Sequence, residues 1–374
     1  MESLPRNRHF TRAAARATPS QEGGDRRAIP VKGEIYRTLD MHTAGEPVRI
    51  VTEGYPALPG ATILDKRRYA QAKLDHIRRR LMLEPRGHAD MYGVITVEPS
   101  HPEADLAVLF THNSGYSTMC GHATIAIGRW AVEHKLVPVE RPLTSFNLEC
   151  PCGVVRVTVE VGEAGTGEVT FESVPAFASH LDLAITTERF GRVGLDIGFG
   201  GAFYAILPAS RIGLSMLETP LEALIQAARE ITAATRAQVV LEHPDAADLA
   251  FLYGTILTDD AAPGDPMPSL NLCIFGAGQV DRSPTGSGVT ARLALDHARG
   301  ALPIGGRRVF RGLTGGPFTG ELLRAARAGN LPAVIVRVGG RAYYSGTSSF
   351  VIEAEDPLRD GFSVPPTLSA LAPE

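Results

Sequence analysis

Short apolar stretches that alternate with polar positions and carry many β-branched residues run through most of this chain. Residues 94–97, 106–110, 154–161, 193–197, 203–207, 270–275 and 333–338 read as strands on that pattern. Gly- and Asp-rich turns at 162–167 and 259–265 separate several of them. A helical period is clear in two places. Ala70, Leu74, Ile77 and Leu81 fall on one helix face, with Lys73, Arg78, Arg79 and Arg80 on a face expected to be solvated. Thr219-Pro220 reads as an N-cap and first helical residue, ahead of a buried stripe of Leu221, Leu224, Ile225, Ala228 and Ile231. Many strands with few helices predict an α+β protein, not a regular βαβ alternation.

Length and charge narrow the function. At 374 residues, two domains are the default. With 37 Lys+Arg against 41 Asp+Glu and a net charge of -4, no basic excess marks a nucleic-acid binder. No apolar run approaches a membrane span, so a small molecule is the expected partner. Four cysteines, Cys120, Cys150, Cys152 and Cys273, form neither a disulfide framework nor a CxxC zinc pair, which fits a reducing cytoplasm. Residues 1–30 are Arg-rich and aperiodic, and read as a disordered tail with a mitochondrial targeting segment as the alternative; 363–374 reads as a second tail. His88 with Asp90 lacks a third ligand at metal spacing, and Gly276-Ala277-Gly278 lacks the third glycine and βαβ setting of a dinucleotide site.

A weak internal repeat carries the candidate chemistry. A strand ending at Phe110 leads through a polar loop to Cys120-Gly121-His122; one ending at Phe275 leads to Thr285-Gly286-Ser287-Gly288, with a step of ten residues in both. Each unit reads as strand, loop, glycine turn, helix, so two helix N-termini are expected to face one cleft. Free N–H groups there suit a carboxylate, and Gly121, Gly286 and Gly288 allow close approach. A thiol at a helix start is expected to have a lowered pKa, making Cys120 a candidate base. Inert packing of a small Cys is the bland alternative. His42 and Glu46 lie in a turn readable either as a plain hairpin or as part of the site. Cys150 and Cys152 read as structural residues at a strand start, and Cys273 as core.

Met41-His42-Thr43-Ala44-Gly45-Glu46-Pro47, Glu84-Pro85-Arg86-Gly87-His88-Ala89-Asp90-Met91, Met119-Cys120-Gly121-His122 and Asp281-Arg282-Ser283-Pro284-Thr285-Gly286-Ser287-Gly288 resemble the proline racemase family, over about 38–362. The resemblance implies a diaminopimelate-epimerase-like α+β fold. It has two pseudo-symmetric domains, 31–175 plus 344–362 and 176–343, each with an antiparallel sheet wrapped around a central helix. It implies no metal, PLP or nucleotide cofactor, and a homodimer. Racemases and 4-hydroxyproline epimerases of the family face two cysteines across the substrate Cα, and here the second position is Thr285. An alkanol is too weak an acid and base to return a proton at Cα. The Cys/Thr pair instead resembles the members that dehydrate trans-3-hydroxy-L-proline, through a Δ2 enamine, to Δ1-pyrroline-2-carboxylate. Proline racemase or 4-hydroxyproline 2-epimerase is the alternative. The expected catalytic residues are Cys120 and Thr285, with Gly121, His122, Asp281, Gly286 and Ser287 binding substrate and Asp281 on the ring ammonium. A Cys-His acyl transferase would instead hydrolyse esters and trap acyl groups; a binding module would hold proline without turnover.

Overall fold

A computed structural model of the chain describes residues 32–364, so the Arg-rich head and the Pro-containing tail lie outside it. The alternating stretches become strands, each slightly longer than its apolar run. β1 (Gly33–Thr43) and β2 (Glu46–Glu53) form a hairpin closed by Ala44 and Gly45, both at positive φ. Helices α1 (Ile63–Lys73) and α2 (Asp75–Met82) follow. The chain then enters β3 (Tyr92–Val97), parallel to β2, and β4 (Leu106–His112), antiparallel to β3. β5 (Gly115–Ser117) turns back on β4 and leads into α3 (Gly121–Glu133). β6 (Leu143–Cys150) lies parallel to β4, and β7 (Gly153–Gly162) and β8 (Gly165–Glu172) complete a meander.

The following segment uses the same connections. β9 (Phe177–Thr187), β10 (Gly191–Phe199) and β11 (Phe203–Pro208) are antiparallel neighbours. Helix α4 (Leu221–Gln238) crosses over to β12 (Leu252–Thr258), parallel to β11. β13 (Ser269–Phe275) runs back along β12, and β14 (Gln279–Val280) turns on β13 ahead of α5 (Gly286–Ala298). β15 (Arg307–Arg311) is parallel to β13, and β16 (Pro317–Ala328) and β17 (Leu331–Gly340) form the second meander. β17 pairs with β8, and β18 (Ala342–Glu353) returns to run antiparallel along β1.

Helices α3 and α5 sit inside these sheets. Both are buried on nearly every side, α3 against β1, β7 and β8, and α5 against β9, β10, β16 and β17. A helix that is apolar all round belongs in a core. Among the described residues no helix is long and apolar enough to cross a membrane.

Four local expectations are corrected. The basic helix is two helices, parted at Leu74, whose N–H closes α1 on Ala70 O while its φ of -125° and ψ of 15° leave the helical region. Arg78 and Arg80 are buried rather than solvated. Arg78 reaches Asp75 and the His112 carbonyl, and Arg80 reaches Glu34 and Asp360, so each head is paired where the stem packs. Thr219 does not cap α4; its hydroxyl accepts from Ser215 N–H, Pro220 holds the cap position without a side-chain bond, and Leu221 is exposed. Cys150 ends β6 and Cys152 lies in the turn beyond it, whereas Cys273 is core as read.

Candidate active site

The two glycine turns meet. Cys120 is the N-cap of α3, extended at φ -146° and ψ 108°, and its sulfur accepts from Ala123 N–H at 3.4 Å. Thr285 is the N-cap of α5, in the left-handed region at φ 62°, where non-glycine residues are uncommon. Cys120 and Thr285 are each only 5% exposed, so their meeting point is screened from solvent.

Side chains from both segments converge here. Thr285 Oγ1 donates to Asp281 Oδ2 at 2.7 Å, and Ser283 N–H donates to Asp281 Oδ1 at 2.7 Å. Tyr204 Oη and Ser287 Oγ are 2.7 Å apart. Across the site, Cys120 Sγ lies 3.2 Å from His122 Nδ1, and Thr43 Oγ1 donates to the His122 carbonyl. Glu46, fully buried at the start of β2, accepts Arg282 N–H at 2.7 Å on Oε2, while its Oε1 has no partner. Arg282 also pairs with Asp90, whose carboxylate accepts Val280 N–H. Asp90 thus ties one segment to the other, whereas His88 bonds only within its own.

The electrostatics correct one expectation. The Cys120 thiol is held well above its ordinary pKa, not lowered. Burial dominates, and the carboxyls of Asp281 and Glu46 add to it; the Ala123 N–H and the Tyr92 hydroxyl oppose them but do not win. Burial likewise pushes Asp281 up to about 6, against the donors Thr285 and Ser283. Glu46 is raised well above the carboxylate range by burial and then by Asp281. His122 is pressed down to about 3 by burial, so its imidazole is neutral beside the thiol. A buried thiol, two carboxyls that resist ionising together and two helix N-termini suit a zwitterion: a carboxylate for the N–H groups and a cation for the acids.

The proline racemase family model matches residues 38–363. The chain belongs to the proline racemase family. A trans-3-hydroxy-L-proline dehydratase of Homo sapiens is 50% identical over 333 residues, spanning 88% of this chain and 94% of its own length. A trans-L-3-hydroxyproline dehydratase of Xenopus tropicalis is 49% identical over 335 residues, spanning 89% of this chain and 96% of its own. Among solved structures, a hydroxyproline epimerase from Agrobacterium vitis with bound trans-4-OH-L-proline superposes with a TM-score of 0.83 at 27% identity, covering 88% of this chain and 96% of that one.

In this proline racemase family member, all seven residues singled out from the sequence come together: Cys120, Gly121 and His122 from one segment, Asp281, Thr285, Gly286 and Ser287 from the other. Sequence reasoning left Glu46 open and missed Tyr92, Tyr253 and Tyr204. Tyr92 packs edge-on to His122 with centroids 4.8 Å apart, and Tyr253 stacks on Phe275 at 5.2 Å and meets Tyr204 edge-on at 5.8 Å. A signal for two of them was present. Met91-Tyr92-Gly93-Val94-Ile95-Thr96 and Leu252-Tyr253-Gly254-Thr255-Ile256-Leu257 repeat a Tyr-Gly step at corresponding strands β3 and β12.

Proposed function

We propose that this chain is a cofactor-independent hydro-lyase that converts trans-3-hydroxy-L-proline to Δ1-pyrroline-2-carboxylate, with the C2–C3 enamine as first product. The observation that carries the reading is the unequal pair at the two helix starts, a thiol at Cys120 and an alkanol at Thr285. Identity near one half with the human and Xenopus dehydratases supports it.

In this mechanism the substrate carboxylate takes the N–H groups around Gly121-His122 and Gly286-Ser287, where charge develops as the Cα proton leaves. The ring ammonium goes to Asp281. Its positive charge offsets the carboxyls that, with burial, hold the thiol up, so binding favours the thiolate where the base is needed. Cys120 takes the Cα proton. In the trans isomer the C3 hydroxyl and the Cα hydrogen share a ring face, so the same thiol returns that proton to the departing hydroxide and water leaves. The bond to hydrogen becomes the C2–C3 double bond, and the C3–O pair leaves with oxygen. Thr285 holds Asp281 and supplies no acid to the far face, so elimination replaces inversion.

The architecture belongs to the same proposal: two pseudo-symmetric diaminopimelate-epimerase-like domains, 31–175 with 344–362 and 176–343, each wrapped around one central helix. The matching order of strand pairings on either side of β9 supports it. Purified protein should form an o-aminobenzaldehyde-reactive imine from trans-3-hydroxy-L-proline; efficient interconversion of L- and D-proline in its place would overturn the assignment.

A further inference from the structure

Two phenol hydroxyls beside the thiol have no assigned task. Tyr92 and Tyr253 are buried, and neither Oη has a hydrogen-bond partner. A buried hydroxyl left unpaired is costly unless a ligand satisfies it. Their hydroxyls face Cys120, Ser117 and each other closely enough to shift one another's acidity by weak hydrogen bonding, Tyr92 toward the thiol and Ser117, Tyr253 toward Tyr92 and Ser117, yet no pair reaches full hydrogen-bond distance and angle. Their rings are fixed from either side, Tyr92 against His122, whose imidazole touches the thiol, and Tyr253 on Phe275. Burial keeps both as neutral O–H donors at ordinary pH.

Two donors on the thiol's side of the site call for an acceptor on the ring face that the thiol attacks. We propose that Tyr92 and Tyr253 form the socket for the C3 hydroxyl, binding a secondary alcohol on a five-membered cyclic amino acid and stabilising its oxygen as the C3–O bond breaks. The inference rests on the dehydratase reading, from which the shared face of hydroxyl and Cα hydrogen follows. The phenols donate hydrogen bonds and keep their protons; the proton that completes water is the one Cys120 removed from Cα. L-Proline, which lacks that hydroxyl, leaves the socket unfilled, so the socket selects substrate as well as assisting departure.

Tyr92→Phe and Tyr253→Phe in the full chain test this with two readouts, kcat/KM for trans-3-hydroxy-L-proline and calorimetric affinity for L-proline. Each variant should lose about a hundredfold in kcat/KM, the scale of one lost oxyanion donor, with L-proline affinity unchanged. Wild-type kcat/KM in both variants would overturn the socket, as would an equal loss of L-proline affinity. If the wild type does not dehydrate trans-3-hydroxy-L-proline, the dehydratase reading itself fails. The socket then stands only if the wild type binds that compound more tightly than L-proline and the variants erase the preference; no such preference overturns it too.

Discussion

Gly121 and Gly286 stand backbone to backbone: a Cβ on Gly121 would lie 2.5 Å from the Gly286 Cα, and one on Gly286 would lie 2.7 Å from the Gly121 Cα. Each glycine is the first residue of its helix, so their contact sets the distance between the Cys120 and Thr285 caps. Only residues without a side chain permit that approach.

Gly121→Ala or Gly286→Ala should therefore separate the helix starts. Overpacking of this kind costs about 1–3 kcal/mol, read from urea unfolding. An ångström of misplacement at the reacting atoms costs roughly a hundredfold in turnover. Gly264→Ala, where a Cβ meets nothing within 4 Å, is the control and should leave both unchanged.

Thr285→Cys restores a thiol to the second helix start. The variant should gain measurable inversion at Cα, seen as D-isomer formed from L-proline or trans-4-hydroxy-L-proline by chiral chromatography. No gain would mean that residues such as Tyr92 and Tyr253 also enforce elimination.

Turnover should fall on acidification with an apparent pKa near 6, the value to which burial lifts Asp281, because the ring ammonium needs the carboxylate. The Thr285 hydroxyl is the largest influence opposing burial, so Thr285→Val should move this limb to higher pH. A pH profile of kcat/KM for both proteins checks the direction.

Stability has the opposite dependence at the buried imidazoles. His112 and His122 are both pressed down to about 3 from 6.5 by burial. The unfolded chain binds protons there that the folded chain refuses, so their contribution is full above 6.5 and is lost as pH falls toward 3. Asp281, raised on folding, runs the other way: its contribution is full below 3.8 and lost as pH rises through about 6. Glu46, raised by burial, runs with Asp281, so two acids oppose two histidines; Glu46→Gln removes one of the opposing acids and should make the urea unfolding midpoint fall more steeply between pH 6.5 and pH 4 than in the wild type.

The strands were legible because alternation survives wherever one face of a sheet is buried, as in β7 and β10. Helices α3 and α5 were legible only through the glycine turns that open them, since burial on all sides erases a helical period. Cys120 and Thr285 stood out because the repeat places unlike residues at equivalent steps. The sign of the thiol's pKa was not legible: a helix start is local, whereas the burial that overrides it comes from both segments. Glu46 resembled an ordinary turn residue for the same reason, as its backbone partner Arg282 lies 236 positions away. Tyr92 was lost by beginning its strand at Val94.

In the proposed mechanism Cys120 removes the Cα proton and the C3 hydroxyl leaves before Cα is inverted. Proton NMR of trans-3-hydroxy-L-proline incubated in D2O with the wild type, and with Cys120→Ser, tests it most directly. Serine keeps the N-cap acceptor, so the variant should stay folded. The wild type should convert the substrate to the pyrroline carboxylate without accumulating cis-3-hydroxy-D-proline, and Cys120→Ser should slow this by about 10²–10⁴-fold. Build-up of the C2 epimer in place of the cyclic imine, or undiminished turnover by Cys120→Ser, would contradict the account.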